Sequence, residues 1–294
     1  MRVLLAIDGS PSSEAARTLI DTLAWPAGTS ILVLGVAPTT AIGGGGLGAL
    51  AGLPIMESPS PDPEATLGPV LVEASSSLMR PGRRVERRLV QGRPATSIVD
   101  EATAWDADLI VVGSRGLGRV STMVLGSVSA EVVDHAPCPV LVTRSPAIGK
   151  VLVAVDGSST SRLALEHLAL GYLAGHPMEV ISVEPSHASQ VQADAIAAQA
   201  ADELHRSGHR ARPTIGVGDP AHEIIEAAAA LDCDLIAMGS RGHTGLARLR
   251  LGSVARNVLL HTHASVLVVR GPVRVRSGEP VEEQAAAAPV AAGA

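Results

Sequence analysis

Residues 113–127 read GSRGLGRVSTMVLGS, and residues 239–253 read GSRGHTGLARLRLGS. The two stretches lie 126 residues apart, and each follows an apolar run with the spacing Gly-x2-Gly-x9-Gly-Ser. This order predicts a strand, a glycine loop and the start of a helix. Glycines allow backbone amides to approach a polyanion, and the first amides of a helix lack partners within it. The repeat therefore predicts two phosphate-binding loops in one chain.

The openings of the two halves repeat as well. An apolar run ends at Asp8-Gly9-Ser10 in the first half and at Asp156-Gly157-Ser158 in the second. Short apolar runs then alternate with helical patterns in the same order in both halves, which predicts parallel sheets covered by helices on both faces. We expect an α/β fold with two tandem, doubly wound, five-stranded parallel-sheet domains, at residues 1–146 and 149–271.

The ligand crevice of such a sheet lies where neighbouring strands send their connections to opposite faces. With a flavodoxin-like strand order, we expect this point between the first and fourth strands, so that Asp8 faces Gly113 and Asp156 faces Gly239. Each carboxylate could accept a hydrogen bond from a ribose hydroxyl or a base amine. A turn or helix-capping role is the alternative for Asp8, because Ser10-Pro11 is typical of a helix N-terminus.

The spacing between the two copies locates an insertion in the first half. Val36 and Val183 are 147 residues apart, whereas Gly92 and Gly218 are only 126 apart, a difference of 21 residues. The insertion falls within residues 39–64, a glycine- and proline-rich segment that lacks helical or strand periodicity. A surface insertion is the simpler interpretation, and a lid over the first site is the alternative. The low-complexity tail at 272–294 is expected to be disordered.

Composition disfavours several classes of protein. The net charge is −6, no basic run is present, and the aromatic residues are limited to Trp25, Trp105 and Tyr172, so nucleic acid is not an expected partner. Cys138 and Cys233 form neither a disulfide framework nor a metal-ligand pair, which is typical of a reduced cytosol. Because no apolar run has the length of a membrane span or a signal peptide, we expect a cytoplasmic protein without a membrane partner.

Catalytic motifs are sparse. The sequence has no Gly-Lys-Ser/Thr for a P-loop mechanism, no Gly-x-Ser-x-Gly nucleophile elbow and no His-Glu-x-x-His metal motif. His205 and His209 have the spacing of metal ligands on a helix, but a solvated helix end is the favoured interpretation because no carboxylate accompanies them. We therefore predict no catalytic residue and no metal-ligating residue.

The two glycine loops differ in charge. Arg115 and Arg241 match, whereas the nine-residue segments hold Arg119 in the first copy and His243, Arg248 and Arg250 in the second. Cations near a triphosphate strengthen binding, although arginines at the opening of a helix are often solvated. Arg115 and Arg241 are therefore the better candidates for phosphate contact.

On these motifs, the chain resembles tandem members of the universal stress protein family. The resemblance is carried by Ile7-Asp8-Gly9-Ser10, by Val155-Asp156-Gly157-Ser158, by both Gly-x2-Gly-x9-Gly-Ser sets and by DHAPCPVLV at 134–142. The second half departs from this pattern at the closing strand, where His261-Thr-His-Ala-Ser-Val266 replaces the Cys-Pro sequence. The resemblance implies a Rossmann-like fold similar to adenine nucleotide alpha hydrolases and one ATP bound by each half, and Mg²⁺ could accompany the phosphates.

The resemblance also implies the contacts of the nucleotide. Adenine is implied near Ala6, Asp8 and Val36 in the first half, and near Ala154, Asp156 and Val183 in the second. The phosphates and ribose are implied at Gly113, Gly116, Gly126 and Ser127, and at Gly239, Gly242, Gly252 and Ser253. A side chain at Gly113 or Gly239 is expected to occupy phosphate space and to leave the fold intact.

These implications favour an ATP-dependent sensor or switch in a stress response. The alternatives are a slow ATPase or phosphotransferase that uses Asp8 or Asp156 to hold a metal, and a protein-interaction scaffold with empty sites. AMP or cyclic AMP could use the same adenine pocket. The last strand of each half, at 140–143 and 266–269, is an apolar edge, so we expect the two domains to pack together and the chain to form a homodimer.

Overall fold

The computed structural model describes residues 1–39, 62–116, 125–184, 190–242 and 251–271, and the two halves of the chain fold alike. The first half comprises β1 (Arg2–Ile7), α1 (Pro11–Thr22), β2 (Ser30–Pro38), α2 (Pro63–Ser77), β3 (Arg84–Gly92), α3 (Pro94–Ala104), β4 (Leu109–Gly113), α4 (Ser127–His135) and β5 (Val140–Thr143). The second half comprises β6 (Val151–Ala154), α5 (Ser159–Leu168), β7 (Met178–Glu184), α6 (Gln190–Arg206), β8 (Ala211–Val217), α7 (Pro220–Ala230), β9 (Leu235–Gly239), α8 (Ser253–His261) and β10 (Ser265–Val269). The predicted α/β class is confirmed.

Several segments considered in the sequence lie outside the described residues. Of the insertion at 39–64, only its ends are described, and there Asp62 caps α2 while Pro63 begins it. Helix α2 therefore includes the last residues that were assigned to the insertion. The tail at 272–294 also lies outside the described residues, as do the loop side chains Arg119, His243, Arg248 and Arg250.

The strands of both halves form one sheet in the order β3-β2-β1-β4-β5-β10-β9-β6-β7-β8. Within each half the order is 3-2-1-4-5, which is the Rossmann arrangement rather than the flavodoxin order 2-1-3-4-5. All neighbours within a half are parallel. The switch point lies between β1 and β4, and between β6 and β9, where the sequence predicted it.

The two halves join through their last strands. Strands β5 and β10 pair antiparallel, with Leu141 opposite Leu267. The prediction that the two domains pack together is therefore confirmed. The homodimer predicted from the same two strands loses this support, because both strands lie in the interior of the sheet. The outer edge formed by β3 carries charged side chains, which discourage pairing with a second sheet: Arg84, Glu86, Arg87 and Arg88.

Apolar side chains alternate between the two faces of the sheet. In β1, Leu5 faces the layer formed with α1 and α2, whereas Leu4 faces the layer formed with α3 and α4. On the first face, the ring of Trp25 stacks on that of Tyr172 with a centroid distance of 5.0 Å. Tyr172 is fully buried and its carbonyl accepts a hydrogen bond from the amide of Ala24 at 3.1 Å. Two of the few aromatic residues thus help to hold the halves together.

The helices are short and cover the sheet. They range from nine residues in α4 and α8 to 17 in α6. Side chains cap the N-termini of α1, α2, α5 and α7, and the capping residues are Ser10, Asp62, Ser158 and Asp219. In the described part of the chain, no helix has the length and apolar character needed to cross a membrane.

Candidate functional site

The aspartate that follows the first strand of each half forms a tight turn. Oδ1 of Asp8 accepts a hydrogen bond from the amide of Ser10 at 3.0 Å, and Oδ1 of Asp156 accepts one from the amide of Ser158 at 2.9 Å. The glycine inside the turn has a φ of 78° in the first half, which a residue with a side chain rarely adopts. The alternative turn role considered for Asp8 is thus present in the structure, and it engages only one carboxylate oxygen.

The second carboxylate oxygen lies beside the glycine loop. A Cβ built on Gly116 would lie 2.7 Å from Oδ2 of Asp8, and a Cβ on Gly242 would lie 2.7 Å from Oδ2 of Asp156. The aspartate and the loop therefore meet in both halves, as the predicted switch point requires. The loop residue at this contact is the second glycine of each set rather than the first.

The first glycine of each set has a structural role. Gly113 is buried, and a Cβ built on it would lie 2.7 Å from the carbonyl carbon of Ser12 in α1. The Cβ of a residue replacing Gly239 would lie 2.6 Å from the carbonyl carbon of Thr160. The expectation that a side chain here would occupy only phosphate space is wrong, because it would collide with the first turn of the neighbouring helix.

The third glycine closes the loop and starts a helix. The amide of Gly126 donates to the carbonyl of Ser114 at 2.7 Å, and the amide of Gly252 donates to that of Ser240 at 2.9 Å. Gly126 and Gly252 are the N-caps of α4 and α8, and neither helix has a capping side chain. Their first amides are therefore available to an anion, and the positive end of the helix dipole favours one.

Hydroxyl groups attach the glycine loop to the turn after the first strand. In the first half, Oγ of Ser10 donates to the carbonyl of Arg115 at 3.2 Å. In the second half, Oγ1 of Thr160 donates to the carbonyl of Arg241. Ser129 adds a bond of 2.7 Å to the carbonyl of Gly113, which the second half lacks because residue 255 is alanine. These links were not predicted from the sequence, although Ser10 and Ser158 repeat with Asp8 and Asp156.

Each loop arginine lies near a second arginine. Burial, followed by the positive charge of Arg115, lowers the pKa of Arg144 to about 10. Burial also lowers the pKa of Arg270, and Arg241 acts in the same direction while Asp134 opposes it. Arg115 is exposed and Arg241 is partly buried. Arg115 and Arg144 are therefore close enough for their charges to interact, as are Arg241 and Arg270.

The residues assigned to the adenine lie further along the same edge of the sheet. Ala6 pairs with Leu34, so that Val36 lies level with Asp8, and Val36 pairs with Val90. Both Ala6 and Val36 are partly exposed and pack against the apolar layer of α3 and α4.

The second half repeats this arrangement with two differences. Val183 is partly exposed and pairs with Gly216, whereas its counterpart in the first half pairs with a valine. Ala154 is only 7% exposed, so it offers a ligand less surface than Ala6 does.

His205, His209 and the two cysteines have structural environments. The ring of His205 accepts a hydrogen bond from the amide of Ala211, and His209 donates to the carbonyl of Leu168. Burial chiefly raises the pKa of the Cys138 thiol to about 12, and that of Cys233 to about 11, so neither is a ready thiolate. Within the described ranges, no three histidine, cysteine or carboxylate side chains are grouped as metal ligands.

Comparison with known proteins identifies the family. The model of the universal stress protein family matches residues 1–144 and 147–270. The chain belongs to the universal stress protein family. It is 54% identical to a universal stress protein of Thermus aquaticus over 61 residues, which are 21% of this chain and 44% of that protein. It is 31% identical to a universal stress protein of Mycobacterium tuberculosis strain H37Rv over 207 residues, which are 63% of this chain and 69% of that protein.

A solved universal stress protein has the same fold over nearly the whole chain. The crystal structure of a universal stress protein from Archaeoglobus fulgidus superposes with a TM-score of 0.67, and the match covers 92% of this chain and 98% of that protein. Since the sequence identity is 21%, this likeness concerns the fold. The twofold family match and this structure confirm a tandem universal stress protein.

Proposed function

We propose that each half of this protein binds one ATP at the carboxyl end of its strands and that the chain acts as a nucleotide-dependent sensor or switch in a stress response. The observation that carries the proposal occurs in both halves. A carboxylate oxygen of the aspartate after the first strand lies beside the second glycine of the loop, next to a helix N-terminus without a capping side chain.

The order of groups along the sheet edge matches the order of groups in a nucleotide. The glycine loop follows β4, Asp8 follows β1, and Val36 lies in β2, and these three strands are neighbours. Neighbouring strands are about 4.8 Å apart, so the loop and Val36 are separated by roughly 10 Å. A ligand across this edge would present phosphates to the loop, a ribose to Asp8 and a base to Val36. The second half repeats the order with Asp156 and Val183.

The charges of the edge favour a polyanion at the loop end. The first amides of α4 and α8 and the loop residues Arg115 and Arg241 lie there, whereas the base end is lined by Ala6 and Val36. Because residues 116 and 242 are glycines, neither places a side chain against the carboxylate of Asp8 or Asp156. These features support a nucleotide more strongly than they support a scaffold with empty sites.

Mg²⁺ would enter with the nucleotide. Magnesium commonly keeps several waters and binds through one or two carboxylates together with substrate phosphates. Asp8 and Asp156 are the carboxylates that could reach such an ion, and the described residues around them supply no further acidic group of a metal cluster. The ion would neutralise phosphate charge.

The second glycine of each loop offers a way to block one site at a time. A glutamate at position 116 or 242 would place a second carboxylate beside that of Asp8 or Asp156. Its charge and size would exclude the phosphates of the nucleotide from the loop. Both positions are exposed, so the fold should tolerate the change. Val72→Glu adds the same charge to an exposed position of α2 and serves as the matched control.

The identity of the ligand can be tested directly. Mass spectrometry of small molecules released from the purified chain, followed by competition among ATP, AMP and cyclic AMP, should identify ATP as the preferred ligand. Preferred binding of cyclic AMP would contradict the ATP assignment. Multiple-turnover phosphate release that is lost in Asp8→Ala and Asp156→Ala would instead establish an enzyme. The cytoplasmic location, the homodimer and the absence of nucleic-acid partners remain predictions from the sequence.

A further inference from the structure

The two proposed sites differ at their base ends. The 126-residue offset between the halves relates Val90 to Gly216 and Ser97 to Glu223. Val36 of β2 therefore lies beside a valine of β3, whereas Val183 of β7 lies beside a glycine of β8. The second half therefore combines a missing side chain in the sheet with a carboxylate on the helix above it.

Glu223 lies over the space that the glycine leaves. A Cβ built on Gly216 would lie 3.1 Å from Cβ of Glu223, 3.4 Å from its Oε2 and 3.2 Å from Cγ2 of Val183. A Cβ on Gly218 would lie 3.1 Å from Oε1 of Glu223. The carboxylate and Val183 therefore border the same point at the end of β8, and a side chain in place of either glycine would displace Glu223.

The capping of helix α7 does not depend on Glu223. Asp219 is the N-cap, and its Oδ1 accepts a hydrogen bond from the amide of His222 at 3.0 Å. Glu223 is partly buried, and its carboxylate makes no hydrogen bond or ion pair with any residue in the described ranges. An ionised carboxylate only accepts hydrogen bonds, so the group is available to a ligand that donates one.

The first half presents different chemistry at this place. Ser97 lies against Gly92, the counterpart of Gly218, and the N-cap residue is Arg93 instead of Asp219. Arg93 is largely exposed and lies 3.7 Å from a carboxylate oxygen of Glu131. The base end of the first site is therefore neutral to basic, whereas that of the second is acidic.

We propose that Glu223 determines the base specificity of the second site by accepting a hydrogen bond from the exocyclic amino group of a 6-aminopurine nucleotide. This inference rests on the proposed function. A 6-oxopurine presents an acceptor at the same position, so this position has no proton to donate to the carboxylate. A site built to hydrogen-bond a donor rejects an analogue that lacks it. The first site, which has Ser97, lacks this discrimination.

Inosine triphosphate is the appropriate probe, because it carries an oxygen where ATP carries the amino group. The second site is isolated in a chain with Gly116→Glu, and both nucleotides are titrated by calorimetry. We expect ATP to bind at least about tenfold more tightly than inosine triphosphate. Glu223→Ser, which introduces the residue of the first half, should reduce this ratio to within about threefold by weakening ATP binding.

The reciprocal exchange provides a second variant. In a chain with Gly242→Glu, the combination Val90→Gly and Ser97→Glu should give the first site a preference for ATP over inosine triphosphate. Thermal unfolding checks that each variant is folded, and Glu223→Gln is a second replacement that preserves the size of the side chain and should also reduce the ratio.

Three results would overturn the inference. Equal affinity of the parent second site for the two nucleotides would show that Glu223 does not read the base, although the proposed function would stand. Equal weakening of both nucleotides by Glu223→Ser would assign Glu223 to the general stability of the site. Failure of the parent chain to bind either nucleotide would overturn the proposed function and this inference with it.

Discussion

Arg144 and Arg270 lie 126 positions apart, and each extends from its own half of the molecule to the end of the last helix in the other half. The guanidinium of Arg144 donates to the carbonyls of Leu259 at 2.6 Å and Ala264 at 3.0 Å. That of Arg270 donates to the carbonyls of Asp134 at 3.0 Å and Ala136 at 3.3 Å. A cation at the C-terminus of a helix satisfies carbonyls that lack partners and is stabilised by the helix dipole.

We therefore expect Arg144→Met and Arg270→Met to destabilise the whole chain. Each change leaves partly buried carbonyls without a donor, so the free energy of unfolding should fall by about 1–3 kcal/mol. Arg256→Met is the control, since its ion pair with Asp134 also joins the halves but its side chain is 45% exposed. An exposed pair contributes at most about 1 kcal/mol. Urea unfolding that ranks Arg256→Met as the most damaging of the three would contradict this interpretation.

The first and second glycines of each loop should respond differently to alanine. Gly113→Ala places a methyl group 2.7 Å from the backbone of Ser12, and we expect a loss of about 1–3 kcal/mol in the free energy of unfolding. Gly116→Ala meets the side-chain oxygen Oδ2 of Asp8 instead of backbone, and it should reduce stability little while weakening nucleotide binding. Thermal unfolding together with ATP titration distinguishes the two. Equal stability of both variants would show that β4 does not need its close approach to α1.

Acid should destabilise the protein through His167. Its Nε2 has no hydrogen-bond partner among the described residues, its ring lies edge-on to Tyr172 at 5.6 Å, and burial lowers its pKa from 6.5 to about 4. Between these two pKa values the unfolded chain binds a proton that the folded chain does not, so stability falls as the pH decreases. We expect the loss in the free energy of unfolding between pH 7 and pH 5 to be about 2 kcal/mol.

Replacement of His167 checks this pH dependence. Urea unfolding of His167→Phe at pH 7 and pH 5 should show a smaller loss than the parent, although burial also lowers the pKa of His209 and leaves part of the effect. His135→Gln removes an exposed histidine and should behave like the parent. An unchanged pH dependence in His167→Phe would mean that the pKa of His167 is the same in the folded and unfolded chains, which contradicts the effect of burial.

Much of the fold and of the candidate site could be predicted from the internal repeat of the sequence. Asp8 and Gly116 both follow buried strands, as do their counterparts Asp156 and Gly242, which lie 148 and 126 residues further along the chain. Their positions at one edge of the sheet could therefore be predicted. The role of Gly113 could not, since it depends on how closely α1 packs against β4. The shared offset of Arg144 and Arg270 was visible in the sequence, but their partners follow from the antiparallel pairing of β5 and β10. The role of Glu223 could not be predicted from the sequence either, because it depends on the space that Gly216 leaves beside this side chain.

The stoichiometry of ATP binding tests the central claim most directly. Calorimetric titration of the parent chain should give two ATP per chain, Gly116→Glu and Gly242→Glu should each give one, and the double variant should give none. The control Val72→Glu should retain two. A parent chain that binds only one ATP, or a double variant that still binds ATP, would contradict the assignment of one nucleotide site to each half.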